Sequence, residues 1–278
     1  MKNTFPVPIE NYSSKLTANE EGWWKLGSQA TVSYTENGHA GSYALENASF
    51  WYLHRNEIIT QAIQQFPAKW LLDVGGGTGF VSHFLQQNNI KTVLLEPVLA
   101  GAQLSKQRQI QQVICGSLQE VDFHPNSLPA IGMFDVLEHI EDDISFLKDC
   151  HQVLQADGRL YLTVPAYQSL WSSFDQHVGH YRRYNLTDLQ QKLERLGFVV
   201  EFKSYFFSFL PPFVWLKRVL LKKDYHLKEN KKSNDHLVQS SRLRQFLLKF
   251  LSIETSRIKR KKTLPFGTSC LVVARKLA

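Results

Sequence analysis

The sequence predicts a doubly wound α/β fold: a mostly parallel seven-stranded sheet with a helical basic insert between its last two strands. Three observations carry that reading. Short apolar runs alternate with helical stretches from about residue 55, the first run turns directly into a glycine-rich loop, and two late strand-like runs stand about sixty residues apart. Parallel strands covered by helices on both faces read as unbroken apolar runs, the form seen here. With 278 residues, the chain can bury one large core with an added subdomain.

The first strand is Trp70 to Val74, followed by Gly75 to Gly79 and a helix from Phe80 to Gln87. Thr92–Leu95, closed by Glu96-Pro97, is the second, and Val113–Cys115 the third. Ile131–Phe134 and Arg159–Val164 supply the fourth and fifth. Thr187 reads as the N-cap of a helix whose Leu189, Leu193 and Leu196 share one face, with Gly197 as its stop. Phe198–Phe207 and Cys270–Arg275 complete the seven. The gap between these two is too long for a hairpin loop, and Arg242–Leu251 repeats its apolar residues at a helical period. The chain thus divides into a cap segment at 1–54, a core at 55–207, an insert at 208–267 and a last core strand at 268–278. The first fifty residues show no clear element.

Charge is unevenly placed. The net +7 resolves into +11 between Phe209 and Lys262 and −4 elsewhere, a mildly acidic body with one basic segment. That distribution argues against a general nucleic-acid binder. Three separated cysteines, Cys115, Cys150 and Cys270, form no CxxC pair and fit buried residues in a reducing compartment. No signal-peptide pattern opens the sequence and no apolar run reaches the ~18 residues of a spanning helix, so a cytoplasmic protein is the simplest expectation.

LLDVGGGTGF, Leu71 to Phe80, is the strongest local signal. A strand turning sharply into a helix aims backbone N–H groups at one spot, and glycine lets a ligand approach without a Cβ collision. A phosphate loop would need Gly-Lys-Ser/Thr, which is missing, and the dinucleotide pattern G-x-G-x-x-G would put glycine where Phe80 stands. What remains is D-x-G-x-G-x-G, from Asp73 through Gly75 and Gly77 to Gly79. It resembles motif I of class I S-adenosylmethionine-dependent methyltransferases, which have a Rossmann-like fold. Glu96, 23 positions after Asp73 at the end of the second strand, stands where a carboxylate can accept hydrogen bonds from both ribose hydroxyls. The resemblance further implies cofactor contacts near Ser117 and Leu118, where the family often carries an acidic residue, and near Phe134 and Asp135. The implied cofactor is S-adenosylmethionine, with S-adenosylhomocysteine as product. The FDVLEHI stretch, Phe134 to Ile140, is similar to the segment after strand four in many small-molecule methyltransferases.

After strand five, Trp171 to Tyr184 reads W-S-x-x-D-x-x-x-G-H-x-R-R-Y and resembles a bacterial subgroup of these enzymes linked to cell-envelope or secondary metabolism. It concentrates two histidines, two arginines and four aromatics in fourteen residues. His177 or His180 is a candidate base toward a hydroxyl acceptor, with Asp135 beside the cofactor. Arg182, Arg183 and Tyr184 are candidates for holding a substrate phosphate or carboxylate. The opposing reading is a folded lid whose His and Arg side chains satisfy backbone carbonyls. No ligand set accompanies His177 and His180, so no metal is expected. The insert run Phe213–Lys223 mixes bulky apolar residues with lysines, which suits either the core of a substrate-covering subdomain or peripheral contact with a membrane and a lipid-linked substrate. The expected activity is methyl transfer to an oxygen or nitrogen of a small or lipid-linked metabolite. RNA or protein methylation, with Lys259 to Lys262 as grip, and cofactor binding without turnover stand as alternatives.

Overall fold

The computed structural model describes residues 7–17, 19–26, 43, 46, 49–208 and 241–277. The run Phe213–Lys223 lies outside the described residues, as does much of the expected cap segment.

Eight strands, numbered along the chain, form one sheet: β1 (Trp23–Lys25), β2 (Leu71–Val74), β3 (Thr92–Glu96), β4 (Val113–Cys115), β5 (Leu128–Phe134), β6 (Leu154–Pro165), β7 (Phe198–Phe206) and β8 (Ser269–Lys276). Their spatial order is β1-β4-β3-β2-β5-β6-β8-β7. All pairings from β1 to β6 are parallel, whereas β8 runs antiparallel between β6 and β7. The sheet therefore has one strand more than the sequence predicts. The extra strand is β1, whose Trp24 sits opposite Ile114 of β4. Three residues are too few to show a period; edge pairing makes them a strand.

Eight α-helices are described: α1 (Phe50–Gln65), α2 (Phe80–Gln87), α3 (Leu99–Gln107), α4 (Leu118–Val121), α5 (Asp143–Val153), α6 (Ser173–His177), α7 (Leu186–Arg195) and α8 (Ser241–Lys259). In α7, Leu186, Leu189 and Leu193 are buried, and Gly197 (φ +88°) provides the left-handed stop. Its N-cap is Asn185 rather than Thr187. The extended backbone of Asn185 lets its side-chain oxygen accept the Asp188 N–H at 2.9 Å, so the helix begins two residues before the expected start.

The period-two geometry of the strands splits the core between the faces of the sheet. Leu72, Val74, Val93, Leu95 and Ile114 pack on one side with Leu147 and Leu189. Leu71, Tyr161, Phe206 and Leu271 pack on the other with Ile58, Ile59 and Leu85. The long β7–β8 connection holds α8, which is fastened to α1 through buried polar contacts. Glu254 accepts the Phe207 and Ser208 N–H groups at 2.8 and 2.7 Å and lies 3.0 Å from His54 Nε2. Strand order reverses between β2 and β5, so the carboxyl ends of β2, β3 and β5 open on a shared crevice.

Candidate active site

The glycine loop leaves β2 at that reversal. Gly75, Gly77 and Gly79 have φ of +69°, +54° and +77°, the left-handed region where a Cβ is costly. Two of them also lie against neighbours: a Cβ on Gly75 would come 2.8 Å from Val136 Cγ2, and one on Gly79 2.8 Å from Ser105 Cβ. Asp73 braces the loop from beneath. Its carboxylate, 1% exposed, accepts the Ser82 hydroxyl of α2 at 2.6 Å, and burial raises its pKa to about 6.

Glu96 ends β3 and is 4% exposed. One carboxylate oxygen accepts the Gly77 N–H at 2.8 Å and the other accepts the Val98 N–H at 2.8 Å. Burial raises its pKa to about 7 against the lowering effect of those two bonds. A carboxylate has about four lone-pair sites, so it can brace the glycine loop and meet a diol from the crevice. This arrangement fits a nucleoside ribose. Among the other expected cofactor residues, Ser117 caps α4: its hydroxyl accepts the Glu120 N–H at 3.2 Å while Glu120 accepts the Ser117 N–H at 2.7 Å. The side chains of Leu118 and Phe134 are buried in the core, which leaves their backbones as the groups able to meet a ligand.

Two contacts that sequence spacing conceals frame the crevice. Glu46 accepts the Thr78 hydroxyl at 2.8 Å and pairs with Arg108, whose Nε donates to the Thr78 carbonyl at 3.0 Å and whose guanidinium lies over the Tyr43 ring. A residue of the N-terminal segment is thereby latched onto the glycine loop. Asp135, at φ +60°, accepts from Arg55 Nη1 at 2.6 Å and from the Thr163 hydroxyl at 3.2 Å, tying α1 and β6 to the end of β5. Glu46 is 62 residues from Arg108, and Arg55 is 80 from Asp135; no local pattern signals either pair.

The loop expected to govern the acceptor is built around Asp175, which is fully buried. Asp175 accepts from His180 Nδ1 at 2.9 Å, Arg183 Nε at 2.7 Å, and the Ser172 N–H and hydroxyl at 2.8 and 2.9 Å. Burial acts to raise its pKa, but the bonds from His180 and Arg183 outweigh it and hold the carboxyl below its ordinary range. The loop is stitched to the segment after β5. Tyr181 N–H donates to the Glu138 carbonyl at 2.8 Å, Tyr184 hydroxyl to Asp143 at 2.8 Å, and Arg182 Nη2 to the Glu141 carbonyl at 2.5 Å. Arg182 also lies 3.1 Å from Asp143, and Arg183 donates to the Ala166 carbonyl at 3.3 Å.

Arg182, Arg183 and Tyr184 thus each bond carboxylates or carbonyls of the protein, the kind of contact a folded lid makes, and His177 is exposed without a described hydrogen-bond partner. His180 is different. Its Nε2 lies 4.0 Å from Glu138 Oε1, and its ring meets His139 edge-on at 4.7 Å between centroids. Glu138 is 1% exposed and its Oε2 is without a hydrogen-bond partner among the described residues. Burial first, then the charge of Asp135, pushes its pKa well above the usual range. Burial first, then His180, lowers His139 to about 4. The structure therefore gathers Asp135, Glu138, His139 and His180, of which Glu138 and His139 were not among the expected site residues. The signal for Glu138 was a carboxylate inside an otherwise apolar post-strand segment.

A reversed doubly wound sheet, glycine loop and buried strand-end carboxylate together define a nucleoside-binding α/β protein. The methyltransferase domain family matches residues 51–201, just over half of the chain, and the chain belongs to that family. It is 24% identical over 161 residues to a Mycolicibacterium smegmatis protein described as a probable S-adenosylmethionine-dependent methyltransferase, a match covering 56% of this chain and 62% of the relative. It is also 24% identical over 179 residues to the mitochondrial ubiquinone biosynthesis O-methyltransferase of Rattus norvegicus, covering 54% of this chain and 52% of that enzyme. The chain thus spans between half and two thirds of these relatives. The Haemonchus contortus phosphoethanolamine N-methyltransferase 2, solved with S-adenosyl-L-methionine, shares the fold with a TM-score of 0.55 and 18% identity over 88% of this chain and 58% of its own.

Proposed function

We propose that the protein transfers the methyl group of S-adenosylmethionine to an oxygen or nitrogen of a small or lipid-linked metabolite. The observation that carries this reading is Glu96, a buried carboxylate joined to the left-handed Gly77 at the sheet's reversal. The glycine loop would receive the amino-acid end of the cofactor and Glu96 its ribose. The activated methyl on sulfonium then needs mainly alignment with the acceptor, and exclusion of water from between them. The acceptor would meet the polar pocket of Glu138, His139 and His180, with Asp175 fixing the His180 ring so that Nε2 faces that pocket.

A lipid-linked acceptor is favoured by the far end of α8. Ile253 is exposed beside Arg257, Arg260 and Lys262, and Phe250 and Phe266 are exposed in the same stretch of chain, a mixture suited to an anionic membrane surface. No described helix is long and apolar enough to cross a membrane. Calorimetric titration should give S-adenosylhomocysteine binding and no response to NAD. Methyl transfer from labelled S-adenosylmethionine to an acceptor panel, with and without anionic vesicles, then separates the alternatives. Transfer only to RNA or protein would replace the small-molecule reading, and cofactor binding without any turnover would replace the enzyme.

A further inference from the structure

We propose that Glu138, His139 and His180 form a binding site for one divalent transition-metal ion, of which zinc is the best match. The inference deepens the acceptor-pocket reading given above and rests on it for the ion's role.

One ligand atom from each of the three residues lies within 4.8 Å of the other two. Two imidazoles and a carboxylate form the donor set of open zinc sites, which keep a further position for water or substrate. Closing these atoms to the ~3.3 Å spacing around a tetrahedral ion with bonds of ~2.0 Å needs about an ångström of side-chain movement.

Two further features point to a cation. Glu138 Oε2 is buried, and no donor among the described residues meets it. An unsatisfied buried carboxylate oxygen costs free energy that a bound cation would offset. Both histidines are also held from behind: His180 Nδ1 bonds Asp175, and His139 bonds the Gly179 carbonyl. Carboxylate and carbonyl partners on the outer nitrogens orient imidazoles whose inner nitrogens bind metal. Asp135 is occupied by Arg55 and Thr163, so the protein supplies three ligands and leaves the remaining coordination to acceptor or solvent.

His180 then acts as a ligand in place of a base. An acceptor hydroxyl on the ion would release its proton to solvent. Its oxygen lone pair would form the bond to the methyl carbon as the carbon–sulfur bond breaks, leaving the neutral thioether. The sequence hides the site because His180 lies 42 positions beyond Glu138, in a separate loop.

The test uses the full chain, stripped with chelator and titrated with Zn2+ and, separately, Co2+. The expected result is one ion per chain, with the visible absorption of low-coordinate cobalt. Glu138→Gln and His180→Ala should each weaken Zn2+ binding more than 30-fold, Asp175→Asn about 10- to 100-fold, and His83→Ala should leave it unchanged. The wild-type cobalt spectrum needs no variant, so a misfolded variant leaves the proposal decidable. Absence of a stoichiometric ion, or full affinity in a folded Glu138→Gln/His180→Ala protein, would overturn the site. S-adenosylhomocysteine titration of the same sample separates the two readings: cofactor binding without metal removes this inference alone, and metal binding without cofactor removes the methyl-transfer reading.

Discussion

Replacing Glu96 with alanine separates what this carboxylate does for the fold from what it does for the ligand. Burial raises its pKa from 4.5 to about 7, which at 1.36 kcal/mol per pH unit makes the ionised form about 3 kcal/mol costlier in the fold than in the open chain. Alanine removes that cost but strands the Gly77 and Val98 N–H groups, each worth about 1–2 kcal/mol where water can partly replace the acceptor. The two effects nearly cancel, so at pH 8 the ligand-free Tm should move by only a few degrees. Cofactor affinity should fall much further. Hydrogen bonds from ribose hydroxyls to a charged acceptor account for about 1.5–3 kcal/mol, a loss of roughly 10- to 150-fold in calorimetric titration with S-adenosylhomocysteine. The pH dependence has a definite sign. A raised carboxyl pKa contributes stability that is present below 4.5 and lost as pH climbs through about 7, so wild type should gain Tm relative to the variant on acidification across that window. Cofactor binding should run the opposite way and strengthen as Glu96 ionises. Unchanged affinity in a folded variant would place the nucleoside elsewhere, and a collapse of Tm would make Glu96 a structural hub first.

Three other outcomes follow. Gly79→Ala puts a Cβ 2.8 Å from Ser105 at φ +77°, and chemical denaturation should show a loss of about 1–3 kcal/mol. Asp175→Ala leaves the largely buried Arg183 without its carboxylate, and urea unfolding should show about 3–5 kcal/mol lost at pH 7, with the difference from wild type shrinking as pH falls below 3.8, where the unfolded chain takes up a proton that the folded Asp175 resists. Glu254→Ala removes the acceptor of the Phe207 and Ser208 N–H groups, and hydrogen exchange should quicken at those amides and in α8 while the glycine loop stays protected.

Where an interaction is local, the residue order makes it legible. The glycine loop, the strand-end Glu96 and the Phe80–Gln87 helix are contiguous stretches whose types and spacing are set by backbone geometry. The last strand and the helical α8 follow from apolar periodicity and from a gap too long for a loop, whereas the strand's antiparallel direction does not. What remained hidden depends on separation. β1 is three residues made into a strand by β4, and the Glu46–Arg108 and Arg55–Asp135 pairs join residues 62 and 80 positions apart. Arg182 and Arg183 show the same dependence on separation. Their composition suggests an anion site, and the carboxylates and carbonyls that folding brings beside them are signalled by no local pattern.

The placement of β8 between β6 and β7 sets a timetable on biosynthesis. The ribosome makes β7 more than sixty residues before the strand that must lie between it and the rest of the sheet. Until β8 arrives, β6 and β7 each present an open, largely apolar edge, the kind of surface that pairs with other chains. The nascent protein is therefore most prone to aggregation during a definite interval, after β7 has emerged and before β8 has inserted. Slower translation of the intervening stretch would lengthen that interval without changing the finished fold.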